Sequence, residues 1–210
     1  MIAKFILVST LDLLAVSLTG SDDAIYAGVG SCRKCHLATV SGDQYEKWVE
    51  SEHSNAYHIL TTDDAKKIAK DKNLGDPTKA VECLKCHVTA YDQPAKKKGE
   101  KFDATLGIQC ESCHGPGQRH VDERLDSDAG SDDKIVTLPK GELAPMPTAE
   151  SCRKCHNKES PTYRPFAYNK FFPVMAHNDP RKKRPADYLE KLPADPADDP
   201  AAVAPKVHKK

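Results

Sequence analysis

The sequence predicts a mainly α-helical fold with long irregular loops and little sheet. Three observations lead there. Residues 42–60 and 61–73 carry helical patterning, whereas only residues 134–138 read as a short strand and no βαβ alternation occurs. Fifteen prolines and eleven glycines in 210 residues shorten any regular element. Only 39% of residues are apolar and 30% are charged, so the chain buries little apolar surface of its own. Something else must offset the entropy of ordering it. The 31 basic and 31 acidic residues cancel, which excludes the basic excess of a nucleic-acid binder. No apolar run approaches the ~20 residues of a membrane-spanning helix.

Along the chain, residues 1–27 read as a secretory signal peptide. Lys4 precedes an apolar stretch over 5–18, although Asp12 interrupts it and no clean cleavage site follows. A buried N-terminal helix is the competing reading. The expected domain spans residues 28–178. Within it, Val49, His53, Ala56 and Leu60 fall on one face of a helix over 42–60. Residues 61–73 read as a solvated helix capped by Thr61 with Asp64 and stopped by Gly75 and Pro77. The lysine-rich stretch 94–101 suggests a hairpin or loop tip. Residues 122–134 read as an acidic loop. Residues 179–210 form a Pro-rich charged tail, expected to be extended or disordered apart from a turn at 187–192.

The eight cysteines form four pairs with one spacing, each followed at once by histidine. They are Cys32, Cys35 and His36; Cys83, Cys86 and His87; Cys110, Cys113 and His114; Cys152, Cys155 and His156. C-x-x-C-H is the attachment signature of c-type haem. Thiols three positions apart share one side of a helical turn and can bond the two vinyl groups of one porphyrin. The next histidine then reaches the iron. A zinc site needs two C-x-x-C pairs per metal and no histidine after each. A thioredoxin dithiol occurs once, in a βαβ context. Four of four repeats imply four covalent haem c groups, hence a haem-packed multihaem cytochrome fold. The motif histidines lie 51, 27 and 42 residues apart, so neighbouring porphyrins must pack close together. Propionates would add negative charge, which Arg33, Lys34, Lys85, Arg153 and Lys154 near the motifs could balance.

Each iron usually takes a second axial ligand, and His53, His58, His120, His177 and His208 remain for that role, with Met146 and Met175 as softer alternatives. His53 is the histidine on the apolar face. His120 follows the Gly-Pro-Gly turn after the third motif, and His177 ends the apolar approach Phe171-Phe-Pro-Val-Met-Ala. These three are the strong candidates. His58 lies roughly 140° around a helix from His53 and reads equally as a solvated residue or a ligand. His208, in the tail, fits a solvated residue better, or a ligand reaching into a neighbouring molecule.

The motif order, the Trp48-x-x-x-x-His53 segment, the block from Gly107 to Gly117 (GIQCESCHGPG) and the late His177 resemble the tetrahaem cytochrome c-554 family over about residues 30–180. The resemblance implies a mostly helical fold built around stacked haem pairs. It also implies His53, His120 and His177 as distal ligands and a five-coordinate haem on His87. Related filament-forming cytochromes instead complete their haems partly from the next subunit.

The reading that follows is a periplasmic or extracellular electron-transfer cytochrome that passes electrons between redox protein partners. An open iron on His87 that reduces a small molecule such as nitric oxide is the alternative. A protomer of a dimer or conducting filament, completed through His58 or His208, is a third.

Overall fold

The computed structural model describes residues 24–126, 143 and 146–203. Residues 1–23 of the expected signal peptide (1–27), the strand candidate 134–138 and His208 lie outside the described residues. Among the described residues regular structure is helical and short: α1 (Val29–His36), α2 (Gln44–Val49), α3 (Ala56–Ile59), α4 (Asp63–Asp71), α5 (Val81–His87), α6 (Cys110–His114), α7 (Gln118–Asp126), α8 (Ala149–Arg153) and α9 (Tyr168–Met175). Three 3₁₀ turns separate some of them. Among the described residues, sheet reduces to one isolated bridge between Tyr26 and Lys98. The lysine-rich stretch is thus a loop tip, with a 3₁₀ turn over Ala95–Lys97, pinned by Tyr26 N–H to Lys97 O at 2.8 Å.

Two expected elements differ from the sequence reading. Residues 42–60 do not form one helix but split into α2 and α3 around a turn. The Ser51 hydroxyl donates to Trp48 O and the Ser54 hydroxyl to Val49 O and Ser51 O, local bonds that compete with the helical ladder. Trp48 Nε1 donates to Ile108 O at 2.7 Å, and Ile108 N donates to His53 O at 3.0 Å. The break docks the segment on the strand-like stretch before the third motif. The second helix starts one residue late: Thr62, not Thr61, is the N-cap of α4 and accepts from Ala65 N. The acidic stretch begins as helix, since Asp122–Asp126 belong to α7.

The interior is thin. Its buried apolar side chains are mostly small: Ala27, Val29, Ala56, Ala69, Ala80, Val88 and Ala167, with Leu60, Phe166 and Tyr168 as the larger members. Polar groups fill much of the rest. Gln109 accepts from Val29 N at 2.9 Å and donates to Asp103 O at 2.8 Å. Thr89 Oγ1 accepts from Gln109 N at 2.7 Å and donates to Gly107 O at 3.0 Å. Buried polar side chains paired in this way hold shape without a large hydrophobic core.

Residues 179–203 carry no helix or strand, only turns, one of them at the expected position. They are nevertheless tied down. Arg153 pairs with Asp195 at 3.1 Å and with Asp198 at 3.5 Å. Asp198 accepts from Tyr168 N, Asp199 N donates to Phe166 O, and Lys170 Nζ donates to Ala202 O. Charged side chains thus do for the tail what an apolar face does for a helix.

Candidate functional site

Each C-x-x-C-H motif sits on a turn of helix. The first ends α1, the second ends α5, and the third makes up all of α6. The fourth begins in α8 and closes with His156 N donating to Cys152 O at 3.0 Å. None of the eight cysteines is paired in a disulfide, which leaves every motif thiol available to a porphyrin. Burial holds Cys83, Cys113 and Cys152 above the ordinary thiol range, Cys113 at about 11.

The fold then joins motif histidines to the spare ones. The His36 and His120 rings face each other with centroids 6.3 Å apart. His114 and His177 are 5.9 Å apart, and His156 and His53 are 6.0 Å apart. A first-row metal holds imidazole nitrogen at about 2.0–2.1 Å, so two rings across one iron have centroids about 6 Å apart. The chain thereby offers three sites with the spacing of bis-histidine iron. Among the described residues no group of three or more His, Cys, Asp or Glu is placed to hold a metal ion. The spacing and the thiols beside each pair fit covalent haem.

The other ring nitrogen is managed as well. His87 Nδ1 lies 2.5 Å from Ala56 O, His177 Nδ1 3.1 Å from Met175 O, and His36 Nδ1 3.4 Å from Gln44 Oε1. An Nδ1–H donated to oxygen leaves the Nε2 lone pair for a metal and fixes the ring orientation. Burial lowers the His36, His156 and His177 pKa values and takes His53 down to about 4, with His156 adding to the effect. These rings are neutral at pH 7, the form that binds iron.

His58 is exposed on α3 and has no ring contact with a motif histidine. The His87 ring is likewise met by a carbonyl, and among the described residues no histidine ring stacks across from it. Met146 is exposed, and Met175 lies in the wall beside His177.

A cavity of about 320 Å³ lies between the first and third motifs, walled by both thiol pairs and by the His36–His120 and His114–His177 rings. Glu111, from inside the third motif, closes its floor. It is 4% exposed and accepts from Ala27 N at 2.7 Å, Gly28 N at 2.8 Å and Gly117 N at 2.7 Å. Burial pushes its carboxyl up although three N–H groups favour the charge. Sequence reasoning missed this residue; a carboxylate between the two cysteines of a C-x-x-C-H motif was the available signal. Of the basic residues read as balancing propionates, Arg153 pairs with Asp195 and Asp198, and Lys85 with Glu159.

Comparison with known proteins meets this geometry from outside. The family model for cytochrome c554 and c-prime matches residues 31–115. Cytochrome c-554 of Nitrosomonas europaea is 30% identical over 165 residues, which cover 74% of this chain and 68% of that protein. The chain belongs to the cytochrome c-554 family. No solved structure matches it. As a c-554 family member it is a c-type cytochrome with covalently bound haem, and its mainly helical build agrees with the fold read from the sequence. Among the described residues no helix is long and apolar enough to cross a membrane.

Proposed function

We propose that this c-554 family cytochrome is a periplasmic or extracellular electron carrier that binds four haems, one per motif, and passes electrons between redox protein partners. The Cys32–Cys35, Cys83–Cys86, Cys110–Cys113 and Cys152–Cys155 pairs form the thioethers. His36 with His120, His114 with His177 and His156 with His53 would each hold one haem iron, and His87 would hold the remaining one. When bound, the haems supply irons that cycle between ferric and ferrous and pass one electron at a time. The protein's part is to hold the ring pairs, keep them neutral and exclude water from them.

The three histidine pairs at 5.9–6.3 Å carry this reading. Haem quantitation of the purified, exported protein is expected to give four haems per chain. Absorption and paramagnetic resonance spectra are expected to give three low-spin haems and one high-spin. Fewer than three low-spin haems would overturn it.

A second reading is favoured by one observation: the His87 ring is met by the Ala56 carbonyl, while exposed His58, two residues on from Ala56, does not stack across from it. An open position there would admit a small ligand such as nitric oxide and make the protein a reductase. A resting high-spin signal that nitric oxide abolishes, with turnover under a reductant, supports it. A resting spectrum with four low-spin haems excludes it.

A further inference from the structure

The chain as a whole is neutral, but the cavity between the first and third motifs is not. Lys34, Arg124, Arg181, Lys182 and Arg184 line it against two carboxylates, Glu111 and Asp179. Both carboxylates are already engaged. Glu111 takes three backbone N–H groups, and Asp179 takes Arg181 through Nε at 2.9 Å and Nη2 at 2.8 Å. Among the described residues, Lys34, Lys182 and Arg184 are thereby left in this lining with no carboxylate of their own, where two histidine pairs converge.

Three of the five cations come from one short stretch, Arg181 to Arg184, which directly follows the distal histidine His177. This stretch is held in place from both ends. The Asn178 carbonyl lies so close to Gly42 that a Cβ there would collide with it, and Gly42 has φ +102°. Tyr188 Oη donates to Asn178 Oδ1, and the Arg184 guanidinium sits 5.1 Å from the Tyr188 ring centroid. Gly42 and Tyr188 thus hold residues 178–184 against the wall of the cavity.

We propose that this basic strap is the binding site for haem propionates, with Lys182 and Arg184, joined by Lys34 from the first motif, pairing the carboxylates of the haems on His36–His120 and His114–His177. The inference rests on those two pairs holding haem. Each haem brings a pair of propionates, and a carboxylate held away from bulk water is costly unless it meets a cation with hydrogen bonds. Arginine and lysine on a clamped segment supply both. The strap also sets a direction for the redox chemistry. Cations near the porphyrin oppose the extra positive charge of the ferric state, so they raise the potential of the haems they face.

The test uses the haem-loaded, full-length protein. In the double variant Lys182→Gln, Arg184→Gln, the propionate-bending bands in the resonance Raman spectrum are expected to shift, and the midpoint potentials of the low-spin haems to fall. Lys191→Gln, whose partner Asp187 lies off the cavity lining, is expected to change neither. Arg184→Lys, which keeps the charge, is expected to retain the potential. Unchanged propionate bands and potentials at full haem content would overturn the proposal. If the double variant under-loads haem, the single Gln variants are read instead, and unchanged bands in both overturn it equally. A wild-type count below three low-spin haems sinks the haem assignment itself, a result separable from any effect of the strap variants.

Discussion

His53 shows how much of this protein's chemistry one side chain's surroundings decide. Burial holds its pKa at about 4, so the neutral ring contributes stability fully present above the ordinary histidine value of 6.5. That stability, about 3 kcal/mol, is lost as pH falls from there through 4. An iron bond lowers the protonation point further. The low-spin signal of the His53–His156 haem is therefore expected to survive acidification to about pH 4 and to fail only below it. A conversion to high spin near pH 6 in a spectroscopic titration would contradict the burial. His53→Ala is expected to add one high-spin haem at neutral pH. Glu111 makes a second residue-scale case. Glu111→Ala strands the N–H groups of Ala27, Gly28 and Gly117 in the interior, each costing about 1–3 kcal/mol. Denaturant unfolding of the loaded protein should show a loss of at least about 3 kcal/mol. The two residues differ in how readable they are. A histidine on an apolar face is conspicuous when irons need ligands, whereas Glu111 gains its role from residues 27, 28 and 117, which only the folded chain brings together. The same limit hid which distal histidine meets which motif, because pairings such as His36 with His120 span 84 residues.

At the scale of elements, helical periodicity misled where side chains pull the backbone into turns. The face of Val49, His53, Ala56 and Leu60 is real in part: Ala56 and Leu60 are buried, but Val49 is 43% exposed because α2 and α3 are separate. The turn between them fits against Gly107, whose φ of +70° and close neighbours admit no side chain. A Cβ there would lie 2.7 Å from His53 O and 3.1 Å from Ala56 N. Gly107→Ala is thus expected to cost more than about 1 kcal/mol and to loosen His53. It should appear as partial high-spin character at the His156 haem, and an unperturbed spectrum would separate the turn from the ligand. The cap of α4 gives a plainer test. Thr62→Ala removes the acceptor for Ala65 N and is expected to cost about 1 kcal/mol in thermal or denaturant melts. Sequence signals place such a cap to within a residue, since Thr61 and Thr62 both precede Asp64, and only backbone direction chooses between them.

At the scale of the molecule, the order of the motifs in space is not their order in sequence. The Cys32 thiol faces Cys110, Cys113 lies within the field of Cys152, and Cys86 faces Cys155. The motifs therefore follow one another in space as first, third, fourth, second, and the His87 site stands at one end. This order turns the thin apolar interior into an advantage, since porphyrins lined up this way can pack on one another where aliphatic side chains are scarce. It also makes a directional prediction. Carbon monoxide added to the reduced protein is expected to bind one haem only, that of His87. Its binding changes the charge distribution at the end of the row, and Coulomb coupling falls with distance. The potential of the adjacent His53–His156 haem should consequently shift more than that of the His36–His120 haem at the far end. Spectroelectrochemical titration with and without carbon monoxide reads both. An equal shift in the two, or binding at more than one haem, would require a different spatial order or a second open iron.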